Sequence, residues 1–303
     1  MSSINDTDVV KGFRQIQDIL PAHWTEGKVE ANGIRHHYYR TGGSNPPLVL
    51  LHGFLEGALT WMRAARALEA DYDVIMVDAR GHGRSSRIDT RYSPDLLTKD
   101  IAGIIRALGL DRVRLLGHSQ GGDIAIRLAT THSPPVHTLI VEGAADRNDT
   151  HPDTFDSPGY QAWLSNYVSW LEDLKTQTHT ERMLSALSQL APGARLPSEE
   201  DFVAWIENCV RLDINMVKLG ATLWTQLGAT FEETQQALQR VICPVLVMMS
   251  AFFPSPGDLH QIRDEYSDQP NLKTVRFENI GHLIHRDGFD QFIRIVEEFF
   301  KEH

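Results

Sequence analysis

The chain of 303 residues is poor in cysteine, with Cys209 and Cys243 as its only two. Their positions give no metal-ligand spacing, so the sequence offers no cysteine-based metal site and we expect no metal. We expect both thiols to be reduced and buried, as in proteins of a reducing compartment. A disulfide between the two is the alternative.

Long apolar runs are also missing, since no stretch approaches the ~18 apolar residues that a membrane span needs. Residues 1–18 are polar and acidic, without the basic start and apolar run of a signal peptide. These absences predict a cytoplasmic protein without a membrane partner.

Basic charge is in deficit, because 29 lysines and arginines face 40 aspartates and glutamates, which gives a net charge of -11. Such a charge repels phosphates at long range, so we expect no nucleic-acid partner. The hydrophobic fraction of 42% is ordinary for a globular protein. The length suits one sizeable core with an inserted subdomain.

Short, continuous apolar runs recur along the chain and alternate with helix-like patterns. Such runs are typical of strands buried on both faces. Strand-like segments of this kind, some interrupted by polar residues, lie at 47–51, 73–77, 113–116, 136–141, 244–249 and 272–277. The alternation predicts an α/β fold with a doubly wound, mostly parallel sheet.

The alternation stops between about residues 148 and 240, where several helix-like patterns follow one another without a buried strand. We therefore predict a helical insertion at 148–240 within a core made of 31–147 and 241–303. Residues 1–30 are predicted to be a helical leader with one amphipathic helix around Val9–Ile19, either a dimer contact or packed on its own core.

The segment Gly117-His118-Ser119-Gln120-Gly121 directly follows a predicted strand and begins a predicted helix. Gly-x-Ser-x-Gly in this setting places a serine on a sharp turn with its hydroxyl exposed, so Ser119 is the candidate nucleophile. A serine needs a base, and His282 lies after the last strand, directly behind Gly281; His285 is its nearest competitor. The backbone N–H groups of Phe54 and Gln120 are the candidate oxyanion donors.

With these motifs the chain resembles the α/β-hydrolase superfamily over nearly its whole length from residue 31. The segments that carry the resemblance are His52-Gly53-Phe54, Asp78–Ser85, Gly117–Gly122 and Gly281-His282. The resemblance implies that the insertion is a cap that covers the pocket. It also argues against dehalogenase and epoxide hydrolase chemistry, since those members carry aspartate where Ser119 stands.

The acid departs from the commonest pattern of the family, which has an aspartate after the strand that follows the cap. Here that strand runs into Phe252 and Phe253, and no carboxylate follows until Asp258. A minority of the family takes the acid from the end of the preceding strand, which is Glu142 here. We expect Glu142 to complete the triad by binding His282, with Asp258 and Asp146 as alternatives.

The resulting prediction is a serine hydrolase, an esterase or lactonase without cofactor, that acts on a small apolar or aromatic substrate as a monomer or homodimer. Aromatic residues of the insertion are candidates for substrate contacts: Trp163, Trp170, Trp205 and Trp224. An amide-cleaving member and a cofactor-free dioxygenase are the alternative enzymes, since the family has both with the acid at this strand end. A non-catalytic ligand receptor is the third alternative.

Overall fold

A computed structural model describes residues 6–87, 92–131, 133–144, 158–190, 195–219, 231–250 and 269–303. The fold is of the α/β class, with a single sheet of eight described strands and helices on both faces. The strands are β1 Thr25–Ala31, β2 Ile34–Arg40, β3 Pro47–Leu51, β4 Asp73–Val77, β5 Val113–His118, β6 Val136–Glu142, β7 Val245–Ser250 and β8 Leu272–Phe277.

The spatial order of the strands is β1-β2-β4-β3-β5-β6-β7-β8. β1 pairs with β2 and β2 with β4 in antiparallel fashion, and the remaining neighbours are parallel. The central strands β3 to β7 are almost entirely buried, because helices cover both faces of a parallel sheet. This burial confirms the prediction of buried strands for β3 to β7, whereas β8, at the end of the strand order, is mostly exposed or half-buried.

Helices begin and end as follows in the core: α1 Asp6–Lys11, α2 Ile16–Ile19, α3 Met62–Leu68, α4 Pro94–Ala107 and α5 Gln120–Thr131, then α10 Ile284–Asp287 and α11 Phe289–Glu302 near the C-terminus. A short 3-10 helix, Ala58–Trp61, precedes α3. Between β6 and β7 lie α6 Pro158–Thr176, α7 His179–Leu187, α8 Glu199–Arg211 and α9 Phe231–Leu238. We call α6 to α9 the helical insertion.

The N-terminal segment differs from the prediction in two ways. It forms two short helices instead of one, and β1 begins at Thr25, inside the range assigned to the leader. The segment packs against the helical insertion of its own chain: Arg14 forms an ion pair of 2.8 Å with Glu199, and the Phe13 ring meets Phe202 edge-on at 5.6 Å.

Cys209 and Cys243 are buried free thiols, so the alternative of a disulfide between them was wrong. None of the helices that the structure describes combines the length and the apolar character needed to cross a membrane.

Candidate active site

Ser119 lies on the sharp turn between β5 and α5 with a φ of 50°, in the left-handed region that residues other than glycine rarely adopt. Its backbone N–H donates to the carbonyl of Glu142 at 2.8 Å, which ties the turn to the end of β6. A Cβ atom at Gly121 would collide with the carbonyl oxygen of Leu51, so glycine is required there. This strained strand–turn–helix is the arrangement in which a nucleophile is held exposed.

Ser119 opens onto a cavity of about 380 Å³ between the sheet and the helical insertion. The core side of the wall includes His118, His282, His285, Glu56 and Thr60, and the insertion contributes Tyr167, Asp201, Trp205 and Asn208. The predicted nucleophile and both candidate histidines therefore face one cavity, which is large enough for a small organic substrate.

Glu142 ends β6 with its side chain fully buried, and it binds His285. One carboxylate oxygen accepts the backbone N–H of His285 at 3.0 Å and its Nδ1 at 2.8 Å, and the other oxygen lies 3.0 Å from Nδ1. Burial favours a raised pKa for Glu142, but the charges of His285 and His118 and the bonds from His285 lower the pKa overall.

The predicted bond from Glu142 to His282 is thus replaced by one to His285. The physical reason is the helix α10, which begins one residue before His285. The first N–H groups of a helix have no partner within it, so the backbone and the ring of His285 together offer the carboxylate two donors. The sequence did not predict this helix.

The far side of the His285 ring is also occupied. Its Nε2 lies 3.3 Å from the hydroxyl of Thr60, and the ring packs against Trp61 with a centroid distance of 4.4 Å. His285 is therefore fixed on both edges and is only 3% exposed.

His282 is partly exposed and lies beside the end of β6. A Cβ atom at Gly143 would lie 3.0 Å from its Nδ1, and its ring centroid is 4.6 Å from that of His118. Its backbone carbonyl lies 3.0 Å from Nε2 of His118. Among the two candidate bases, His282 is the more accessible from the cavity.

His118, the residue before the nucleophile, lies between two acceptors that sequence reasoning missed. Its Nδ1 is 3.1 Å from a carboxylate oxygen of Glu56, and its Nε2 faces the carbonyl of His282. Burial favours a lowered pKa for His118, but the carboxylates of Glu56 and Glu142 raise it to about 9. No sequence motif identifies Glu56; only the conformation of the loop after β3 brings its side chain to the cavity.

The candidate oxyanion donors belong to two segments that pack closely. Phe54 lines the cavity, and its carbonyl oxygen contacts Nε2 of His82. The side chain of Gln120 accepts from the hydroxyl of Tyr92 at 2.8 Å, so that side chain is held by the core. The close approach of Gly121 to Leu51 brings the start of α5 beside the loop that contains Phe54.

The predicted aromatic contacts divide into different environments. Trp205 lines the cavity, whereas Trp163 is 45% exposed on α6. Trp170 is buried within the insertion, where its Nε1 donates to Ser185 at 2.9 Å. Trp224 and the alternative acids Asp146 and Asp258 lie outside the described residues. Tyr167 is a further aromatic residue of the cavity wall.

Comparison with known proteins identifies the family of this chain. The family model for the alpha/beta hydrolase fold matches residues 46–289, which is most of the chain. The chain belongs to this family of hydrolases. Ser119, His118 and His282 all lie within the matched range.

Relatives include the N-formylmaleamate deformylase of Pseudomonas putida, 29% identical over 90% of this chain and 95% of that protein. A 2-hydroxy-6-oxononadienedioate/2-hydroxy-6-oxononatrienedioate hydrolase of Burkholderia vietnamiensis is 27% identical over 88% of this chain and 91% of that one. Among solved structures, an N-formylmaleamic acid deformylase from Pseudomonas putida superposes with a TM-score of 0.70 at 25% identity, covering 90% of this chain and 100% of the other.

Proposed function

We propose that the protein hydrolyses an acyl bond of a small organic substrate through an acyl-serine intermediate on Ser119. The observation that carries the proposal is the position of Ser119 on a strained elbow, at the wall of a cavity that also contains two histidines. The relatives are hydrolases, which agrees with this chemistry.

In the proposed reaction His282 takes the proton of the Ser119 hydroxyl while its oxygen attacks the substrate carbonyl. The amides of Phe54 and Gln120 donate to the oxyanion, and the leaving group departs with the proton from His282. Water then attacks the acyl-serine ester by the same route and releases the acid. The choice of His282 rests on its partial exposure at the cavity and on the engagement of both ring nitrogens of His285.

Glu142 serves this reaction as the buried negative charge of the site. It stabilises the protonated base and, through its two bonds to His285, fixes the loop that follows β8. His285 is then a positioning residue between Glu142 and Thr60.

The substrate we propose first is a carboxylic ester or lactone with an apolar or aromatic part, since the aromatic side chains of Tyr167 and Trp205 line the same cavity as Ser119. A second candidate is an N-acyl amide. The similarity to the deformylase over nearly the full length of both chains favours it. Both reactions use the same nucleophile and differ in the leaving group, which the base must protonate more fully for an amine.

A fluorophosphonate probe tests the nucleophile without knowledge of the substrate. We expect one probe per chain, located on Ser119 by mass spectrometry, and no labelling of Ser119→Ala. A panel of aryl esters, lactones and N-formyl amides, with Ser119→Ala as the blank for each, then identifies the leaving group. Wild-type turnover that survives in Ser119→Ala would refute the mechanism.

Two matched variants identify the base. His282→Gln is expected to reduce the rate of labelling by about a thousandfold, within the range for loss of general-base catalysis. His285→Gln should reduce it less and should lower the melting temperature, because it disturbs a buried pair. The reverse order of the two rates would make His285 the base.

A further inference from the structure

Glu56 lies on the loop after β3 and contacts two of the segments that build the proposed site. One oxygen of its carboxylate accepts the backbone N–H of Gly53 at 2.6 Å, within the loop that contains Phe54. The same oxygen lies 3.1 Å from Nδ1 of His118, directly before the nucleophile. Glu56 thus joins the oxyanion loop to the elbow.

His118 extends this connection to the histidine loop, since its Nε2 lies 3.0 Å from the carbonyl oxygen of His282. A carboxylate and a carbonyl can only accept hydrogen bonds, so both ring nitrogens must donate for both contacts to form. That requirement is met by the doubly protonated imidazolium and by neither neutral tautomer. Burial favours a raised pKa for Glu56, but mainly the charge of His118 lowers it overall, so Glu56 is ionised and the two contacts together assign a positive charge to His118.

The pair is largely shielded from solvent, because the side chain of His118 is 2% exposed and that of Glu56, on the cavity wall, is 15% exposed. Space around it is also tight, because a Cβ atom at Gly53 would lie 2.9 Å from Nδ1 of His118. A charge left without its partner at this largely enclosed position would be costly.

We propose that Glu56 is a positioning residue, whose ion pair with His118 holds the oxyanion loop, the elbow and the backbone of His282 in one arrangement. The proposal rests on the proposed function, since it assigns these segments their catalytic roles. It adds to the proposed site a carboxylate that positions Ser119 and His282 through His118.

The proposal predicts how labelling of Ser119 depends on pH. Loss of the His118 proton near pH 9 removes one donor and loosens the arrangement, so the labelling rate should fall above about pH 9. Other titratable groups around His118 are Glu142 at the end of β6, His52 at the end of β3, and His282 and His285 after β8. These groups are present in both the wild type and a Glu56 variant, so a difference between their pH profiles reports on Glu56.

The experiment measures the rate of fluorophosphonate labelling from about pH 6 to about pH 10 for the wild type and Glu56→Gln, with 15N NMR of the histidine rings over the same range. In Glu56→Gln the alkaline fall should move to lower pH by about one to three pH units, as expected for loss of a close opposite charge. The rate at pH 8 should drop by about tenfold or more, since small misplacements of catalytic groups are costly. Glu56→Asp should restore part of the rate.

Glu69→Gln is the matched control, because Glu69 also binds a histidine, His23, at 2.9 Å, but lies outside the cavity wall. It should keep the wild-type rate and pH profile. A Glu56→Gln profile that falls at the wild-type pH would overturn the proposal, as would NMR signals of a neutral His118 at pH 7. If the wild type is not labelled at all, the proposed function fails, and the protonation state of His118 still decides whether the ion pair exists.

Discussion

The bond between Glu142 and His285 gives the sharpest test of how the site is held together. Glu142→Gln keeps the size of the side chain and one acceptor oxygen but removes the charge. Hydrogen bonds to charged groups contribute about 1.5–3 kcal/mol and neutral ones about 0.5–1.5 kcal/mol. We therefore expect Glu142→Gln to reduce the free energy of unfolding at pH 7 by about 1–2 kcal/mol.

Glu142→Ala should cost more, about 3–5 kcal/mol, because it leaves both buried donors of His285 without an acceptor. Urea denaturation followed by circular dichroism measures both values. The pKa of Glu142 is lowered by folding, so its contribution is present above the ordinary value of 4.5 and is lost as the pH falls through the lower folded value. The difference between wild type and Glu142→Gln should therefore shrink below about pH 4.5.

A double-mutant cycle with His285→Gln tests whether the two side chains act on each other. Residues in direct contact show coupling energies of about 0.5–3 kcal/mol, whereas independent sites are additive within about 0.5 kcal/mol. Additive effects, or a Glu142→Gln protein as stable as the wild type at pH 7, would refute the pairing. A cycle of Glu142 with His282 is the control, and we expect a smaller coupling there.

Three further predictions concern the surroundings of the site. Burial raises the pKa of Cys209 to about 12, so this thiol should not react with Ellman's reagent at pH 8 in the native protein. Unfolding in urea should make the thiol reactive, and a rapid reaction of Cys209 in the native protein would contradict the prediction. Gly121→Ala should lower stability by about 1–3 kcal/mol and slow labelling of Ser119, because the new methyl group meets the backbone of Leu51; unchanged melting and labelling would contradict it. Burial lowers the pKa of His36, so its imidazole binds a proton more readily in the unfolded chain than in the folded one. The free energy of unfolding should therefore fall as the pH drops from about 7 to about 5, through the ordinary pKa of 6.5. In urea titrations His36→Phe should flatten this dependence on pH.

The parts of the fold that the sequence predicted are those in which burial on both faces leaves an unmistakable pattern. The central strands β3 to β7 are rich in buried apolar residues, and the elbow has glycines that close packing requires. β1 was missed because it pairs on only one edge, with β2, and its exposed positions are polar. Its residues, Thr25–Ala31, therefore read as part of a polar leader.

The site was predictable to the level of the segment but not of the side chain. His282 and His285 are three residues apart, and the sequence does not say which ring turns toward Glu142. That depends on the helix α10, which is only four residues long and has no side-chain cap. Glu56 was not predicted at all, because its role comes from a fold-dependent approach to His118, 62 positions away in the sequence.

The charges around Ser119 have a consequence for the proposed reaction that does not depend on which histidine is the base. Glu56 and Glu142 each have a lowered pKa and are ionised at neutral pH, while His118 has a raised pKa and is charged. Glu56 and Glu142 together carry one more charge than His118, and this imbalance favours a further positive charge beside the nucleophile. When the base takes the serine proton, this imbalance is neutralised, and a low-dielectric surrounding strengthens the effect. Glu56→Gln and Glu142→Gln should therefore both slow acylation more than they weaken substrate binding, because the charge that each removes acts more strongly once the proton has moved to the base.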